Sequence, residues 1–385
     1  MTEWKEYKLE EIGVVITGKT PSARNPEDWG DEVLFVTPSD FRNYGKYANN
    51  SERKLSNIGA KRLVNKMLPP KSILVTCIGS DMGKVVMSKT NCITNQQINA
   101  LIPDKQFDND FLYYSLISIY DTLRIMGGDG TAVPIVNKGD FEKIVLSIPF
   151  LDEQRRIASI LTSFDDKIDL LRRENATLEA MAETLFRQWF VVEAKYGEVV
   201  LGDVVKTTSG GTPSRKHPDY YENGTVCWVK SKELNGSFIS STEELITENA
   251  VANSSAKILP EKSVLIAMYG ATVGEYGILS RPMTCNQAVC ALIPNEKYPF
   301  TYLFVWAATM KQEFINLATG AAQQNISQDL VKQQYVYGDI EKIKEYDSCV
   351  RSLFDKMENN QEQINTLIQT RDGLLPRLMS GEIKV

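Results

Sequence analysis

The chain has one histidine, His217, in 385 residues. A Ser-His-Asp or Cys-His relay needs an imidazole, and a histidine-based zinc site needs more than one. His217 reads as a surface loop residue, and Asn25 stands at the matching position of the repeat described below. The six cysteines (77, 92, 227, 285, 290 and 349) form no CxxC pair, so reduced intracellular thiols are expected. Residues 79–85, GSDMGKV, approach a phosphate-binding loop, but the spacing is one residue short and no Ser or Thr follows Lys84. The second copy puts Glu275 where Lys84 stands, and a carboxylate would repel phosphate. Neither GxGxxG nor an NPPY-type amino-methyltransferase motif occurs. No catalytic residue and no metal site is expected.

Several side chains carry paired donors and acceptors, groups able to meet base edges or simply to line a solvated hairpin. Arg42, Asn43, Tyr44 and Lys46 crowd one short stretch, and Lys230, Lys232 and Asn235 stand in its counterpart. Residues 127–131 are Gly-rich and match 320–325, which contain Gln323 and Gln324. Glycines there would allow backbone to approach phosphate, or simply make a plain turn. Thr20 and Thr212 open two copies of Thr-Pro-Ser, either a turn or a phosphate contact. Asn95-Gln96 and Asn286-Gln287 are open between buried amides and ligand contacts. Residues 53–71 hold six cations and no acid, and could serve phosphates or form a plain solvated face.

Bulk charge gives little support to a polyanion binder. The net charge is −6. Residues 1–150 carry 18 basic and 18 acidic groups, and residues 196–339 carry 11 and 14. A nucleic-acid binder usually shows a basic footprint. Charge alone therefore argues mildly against nucleic-acid binding. No run of about 18 apolar residues suggests a membrane span, and the N-terminus does not read as a signal peptide.

The elements that must position these residues are written twice. LEEIGVVITGKTPS, from residue 9, returns as LGDVVKTTSGGTPS, 192 positions later. LPPKSIL returns as LPEKSVL at a displacement of 191, as do Asn-Gln and Leu-Ile-Pro. Asp166-Lys167-Ile168 is echoed by Asp355-Lys356-Met357 at 189. Such a unit is domain-sized, far beyond a solenoid repeat of roughly 20–50 residues. Two similar domains suit a two-part target with approximate two-fold symmetry. Each copy reads as short β-rich runs punctuated by Gly, Pro and Asn, with one helix, over 110–126 and 301–318.

Between and after the copies the period changes. Ile157, Leu161, Phe164, Ile168, Leu171, Asn175, Leu178, Ala182, Leu185 and Trp189 alternate spacings of four and three. Ile343, Tyr346, Val350, Leu353, Met357, Asn360, Ile364, Leu367, Arg371, Leu374 and Leu378 do the same. These are heptads of a coiled coil. End-matched antiparallel pairing would set Asn175 opposite Asn360, where a polar pair would fix register. The alternative is that each Asn borders solvent. A helix of about 38 residues spans roughly 57 Å, and a rod of this length between two copies of one domain is a ruler.

Residues 151–190, LDEQRRIASILTSFDDKIDLLRRENATLEAMAETLFRQWF, resemble the central conserved helix of type I restriction-modification specificity (S) subunits. LLPRLMSGEI, at 374–383, is similar to the end of their distal helix. The paired GxTPS entries, ILVTCIGSDMG and VLIAMYGATVG, and the NQQ and NQA triplets resemble their target-recognition domains. One departure is Ile340-Glu341-Lys342-Ile343 where the first helix has Leu151-Asp152-Glu153-Gln154.

The resemblance implies an α+β chain with two repeated α/β target-recognition domains separated by two long helices that form an antiparallel coiled coil. The segments would be 1–150, 151–195, 196–339 and 340–385. It implies a cytoplasmic, non-catalytic DNA-recognition subunit, each domain reading one half of a bipartite site. The helices would set the spacing and dock two methyltransferase (M) subunits, which bind S-adenosylmethionine. Restriction (R) subunits, using ATP and Mg, would join them. The resemblance leaves open a scaffold or decoy that binds M subunits without reading DNA.

Overall fold

The computed structural model describes residues 4–128, 134–192, 197–319 and 325–385. It divides into two compact units, Met1–Asp169 with Thr366–Val385, and Leu170–Asn365. Each unit holds one copy of the repeat together with parts of both long helices.

In the first unit a five-stranded sheet runs in the order Gly13–Thr17, Ile98–Pro103, Ile73–Thr76, Val85–Ser88, Tyr47–Ala48. All four residues of Ile73–Thr76 are buried because the sheet is covered on both faces. Ile73 and Val75 point into a core shared with Phe111, Leu112, Ile157 and Leu161. Leu74 points the other way, towards Val36, Val86 and Ala100. This is the period-two alternation of a strand, hidden in sequence because both faces are apolar. A smaller sheet runs Trp29–Gly30, Arg53–Leu55, Val33–Val36, Cys92–Thr94, and its last pair is parallel. Lys5–Lys8 pairs with Val145–Ile148 beside the start of the first long helix.

The second unit repeats this plan. Its five-stranded sheet runs Lys206–Ser209, Val289–Ile293, Val264–Ala267, Tyr276–Leu279, Phe238–Ile239. The register repeats as well: Ala100 sits opposite Leu74, and Ala291 opposite Leu265. Lys71 and Lys262 hold the same left-handed turn, at φ 67° and 62°. Their Ser neighbours, Ser72 and Ser263, donate to the carbonyls of Pro69 and Pro260 at 2.7 Å in both copies. The smaller sheet is Leu245–Ile246, Val226–Val229, Thr284–Cys285, again with a parallel last pair.

One expected helix differs between the copies. The second is continuous over Phe300–Thr319. The first breaks into Asn109–Ser118 and Tyr120–Met126 at Ile119. Just before the break, Ser115 donates to the Phe111 carbonyl at 2.9 Å and Ser118 to that of Ser115 at 2.8 Å. Hydroxyls that bond back onto the preceding turn compete with the helical ladder.

The long helices are Leu151–Phe186, continued by a π-turn over Arg187–Val192, and Ile340–Met379. Of the expected seam, Leu161, Ile168, Met357 and Leu378 are buried, and Phe164 and Leu367 are half-buried. Asn360 is fully buried and donates Nδ2 to Asn175 Oδ1 at 2.9 Å. Beyond Ala182 the buried positions slip by one, to Phe186 and Phe190 instead of Leu185 and Trp189. Phe354 likewise replaces Leu353. The reason is a change of partner. Phe186 and Phe190 pack against Tyr302 at 5.4 Å, and Phe354 against Phe304 at 5.4 Å, so these turns face the domain core as well as the other helix. Trp189 lies half-covered beneath the Lys342 ammonium, 4.1 Å from its ring centre.

Candidate nucleic-acid interface

In each copy the topology gathers three loops at one sheet end. Val33–Val36 and Cys92–Thr94 run parallel, so their carboxyl ends emerge side by side. The first leads into the stretch carrying Arg42 to Lys46, the second into Asn95-Gln96. Val226–Val229 and Thr284–Cys285 do the same for Lys230 to Asn235 and for Asn286-Gln287. The link is direct: Asn95 N–H donates to the Val36 carbonyl at 3.2 Å, and Asn286 N–H to that of Val229 at 2.9 Å. The third loop, carrying Thr-Pro-Ser, leaves the first strand and crosses the Asn-Gln turn. A Cβ on Gly18 would lie 2.2 Å from the Asn95 carbonyl oxygen, and one on Gly210 would lie 1.9 Å from that of Cys285. Only glycine permits this approach.

The Asn-Gln pairs, ambiguous in sequence, divide their roles. Asn95 and Asn286 turn inward, each Oδ1 accepting the N–H two residues on at 3.1 Å. Gln96 and Gln287 stay exposed at the turn. Thr20 Oγ1 donates to Gln96 Oε1 at 2.8 Å, and Thr212 Oγ1 to Gln287 Oε1.

The loops that hold the Arg and Lys residues are pinned by carboxylates that the sequence reading missed. Pro38–Asn43 and Ser231–Glu233 are 3-10 turns. Asp40, 5% exposed, accepts from the N–H groups of Thr37 and Glu52, both at 2.8 Å. Glu233 accepts from those of Lys230 and Glu243, both at 2.7 Å. Asp and Glu differ by a methylene and occupy slightly different offsets, which hid the equivalence. The detectable signal was an acid three residues past the residue that precedes each turn, Thr37 and Lys230.

The candidate side chains fare differently. Arg42 is exposed and reaches Asp81 at 3.4 Å, and Asp81 also binds Lys84 at 2.6 Å. Hydrogen bonds from Lys84, with Arg42 assisting, hold the Asp81 carboxyl below its usual range. Asn43 lies in the 3-10 turn. Tyr44 is half-covered, and its hydroxyl donates to the Asn50 carbonyl. In the second copy Lys230 and Arg215 share Glu244, pulling its carboxyl down to about 2. Lys232 pairs with Glu243 on the surface, and Asn235 Oδ1 accepts from Ser237 at 2.5 Å. Gln323 and Gln324, with most of the loop at 320–325, lie outside the described residues, as does part of its counterpart at 127–131.

Lys46 must be reassigned. Its side chain is 3% exposed and its ammonium lies 2.5 Å from Asp110. The ammonium also donates to Thr162 of the long helix at 2.8 Å and sits 4.8 Å from the Tyr114 ring centre. Such an ammonium is not offered to a ligand; it ties the loop's end to the helix. The basic stretch at 53–71 is partly spent too. Arg62 binds Glu27 and Asp28, and Arg53 stacks 3.3 Å over Trp29. The phosphate-loop near-miss is a pair of tight turns, with Gly79 and Gly83 at φ 92° and 94° and Gly270 and Gly274 at 68° and 82°. Lys84 and Glu275 are both ion-paired there. Among the described residues no group of His, Cys, Asp and Glu could hold a metal ion, and no helix is long and apolar enough to cross a membrane.

Each unit thus carries the same sheet with three converging loops and parts of two long helices. The profile of the type I restriction modification DNA specificity domain matches residues 1–180 and 193–337, and the chain belongs to this family. It is a specificity subunit of a type I restriction-modification system. It is 27% identical to the type I restriction enzyme MjaIX specificity subunit of Methanocaldococcus jannaschii over 100% of this chain and 94% of that one. It is 24% identical to the HindI specificity subunit of Haemophilus influenzae over the full length of both. The crystal structure of the S subunit from M. genitalium has the same fold, with a TM-score of 0.56 at 16% identity, covering 98% of this chain and 96% of that one.

Proposed function

We propose that each domain reads one half of a bipartite DNA site through its converging loops, and that the paired helices set the spacing and dock two M subunits. The observation that carries this reading is a repeated frame with unrepeated side chains. Asp40 and Glu233 pin the same loop in both copies, yet the sequence places Arg42, Asn43 and Tyr44 in one and Lys230, Lys232 and Asn235 in the other. A shared frame with different donors is what two different half-sites require. The chain itself is non-catalytic in this reading. S-adenosylmethionine would sit on the M subunits, and ATP and Mg on the R subunits. M subunits would also supply phosphate neutralisation that a chain of net charge −6 does not. Thr20 and Thr212 act in this reading from the turn that borders the pinned loop.

The test is sequence-resolved adenine methylation in cells carrying the M partner, with and without this chain. A bipartite motif that appears only with the chain supports the reading and gives both half-sites. A stable M complex without any motif would favour a scaffold that binds M subunits and reads nothing.

A further inference from the structure

We infer that Gln96 and Gln287 are equivalent DNA-backbone contacts, each a carboxamide aimed by a threonine at one phosphate of its half-site. The inference rests on the DNA-reading function proposed above and assigns it a residue pair.

Three observations converge. First, each carboxamide is held at one end only. Thr20 occupies Gln96 Oε1 and Thr212 occupies Gln287 Oε1. Neither Nε2 has a hydrogen-bond partner among the described residues, so each copy presents an NH2 group with two donors to solvent. Second, the aim is over-determined. The inward Asn before each Gln closes a turn onto the residue after it at 3.1 Å. The same Asn is bonded to the strand that enters the pinned loop, through Val36 or Val229. The glutamine therefore stands at the root of the loop proposed to read bases. A surface glutamine without such anchoring loses side-chain entropy on binding, and here much of it is already lost.

Third, the arrangement is identical in two copies whose reading side chains differ. A group kept in both halves of a bipartite reader cannot tell the halves apart. A repeated group that touches DNA contacts what both half-sites share, which is the sugar–phosphate backbone. The donor chemistry agrees, because an amide NH2 meets a phosphate oxygen as a neutral donor to a charged acceptor.

The experiment uses the assembled complex of this chain with its M partner and a duplex bearing the motif defined by methylation mapping. The variants are Gln96→Ala, Gln96→Glu, Gln287→Ala and Gln287→Glu. Both glutamines are exposed, and recovery of the intact M complex verifies folding. Glutamate keeps the acceptor that the threonine needs but replaces the donors with charge facing phosphate. Each Gln→Ala should weaken binding on the order of tenfold without changing the methylated motif in either half. Its salt slope should not change, because no cation is removed. Each Gln→Glu should weaken binding further. In the parent complex, a methylphosphonate at one position per half-site should reduce affinity, and that penalty should vanish in the matching Gln→Ala variant. Binding by Gln→Glu equal to the parent would mean a purely structural latch and overturn the inference. A changed motif in one half would mean base reading and would also overturn it. If the parent complex itself yields no motif and no binding, the DNA-reading function falls first, and this assignment with it.

Discussion

Asn360 is buried between the long helices of the second unit, where Nδ2 donates to Asn175 Oδ1 and to Glu174 Oε2, both at 2.9 Å. Asn175 in turn donates to the Met357 carbonyl at 3.2 Å. Asn360 Oδ1 is buried without a partner among the described residues. The pair is not repeated. Applying the displacement of 189 that relates the helices, its counterparts are Leu171 and Ile364, both 2% exposed. A polar contact at one of two related positions penalises slipped registers, at a cost in stability.

That cost is measurable. Asn360→Ala should lose about 1–3 kcal/mol, because the half-buried Asn175 Oδ1 loses its donor and the fully buried Asn360 site is left underpacked. The double variant Asn175→Leu/Asn360→Leu should be more stable than Asn360→Ala and match or exceed the parent. Urea unfolding of Asn360→Ala and of the cycle formed by the parent, Asn175→Leu, Asn360→Leu and the double Leu variant checks it, and additive effects in the cycle would show that the contact carries no coupling.

Lys46 should behave as a structural residue. Lys46→Met strands Asp110, whose side chain is 19% exposed, beside the more distant Lys71 at 3.7 Å. A loss of about 3 kcal/mol is expected, with the methylated motif unchanged in whatever complex still assembles. Altered bases in the first half with unchanged stability would restore Lys46 to the reading surface.

Arg42→Ala should do the reverse. Its exposed pair with Asp81 is worth about 0–1 kcal/mol, so stability should hold. First-half preference should relax while the second half is kept, and Lys232→Ala should mirror this in the second half. Methylation mapping of both variants decides, and equal relaxation of both halves would contradict modular reading.

Asp40 and Glu233 offer a test of the frame. Asp40→Ala frees the N–H groups of Thr37 and Glu52, a loss of about 1–2 kcal/mol. Discrimination in the first half should fall although no base-facing group has been removed. Glu233→Ala should affect only the second half. Unchanged discrimination in both variants, read by the same mapping, would show that the loops hold themselves.

Glu179 carries a pH dependence. Burial raises its carboxyl above the usual range although Tyr276 donates to it at 2.7 Å. An acid with a raised folded pKa disfavours folding as it ionises. Stability should therefore fall as pH rises from 4.5, the unfolded value, through the folded one. Glu179→Gln should raise the melting temperature at pH 7 and lose that advantage near pH 4. A constant difference across this range would mean that the carboxylate is not the cause.

Sequence alone carried the architecture unusually far. The displacement near 191 and the heptad spacing are local, one-dimensional signals, and both survive because each element repeats its own physics. Asn175 and Asn360 could be matched by counting, since antiparallel helices pair by position. Lys46 could not be placed that way. A lysine next to aromatic residues reads as a ligand contact until the fold brings in Asp110, Thr162 and Tyr114 from distant positions. The slip from Trp189 to Phe190 has the same origin, because a helix that serves two partners follows neither period alone. The meeting of Thr-Pro-Ser with Asn-Gln spans more than seventy residues and depends on which strands run parallel. Period and repeat belong to neighbours along the chain. Burial, pairing and the direction in which a side chain points belong to neighbours in space, and only the tertiary structure supplies those.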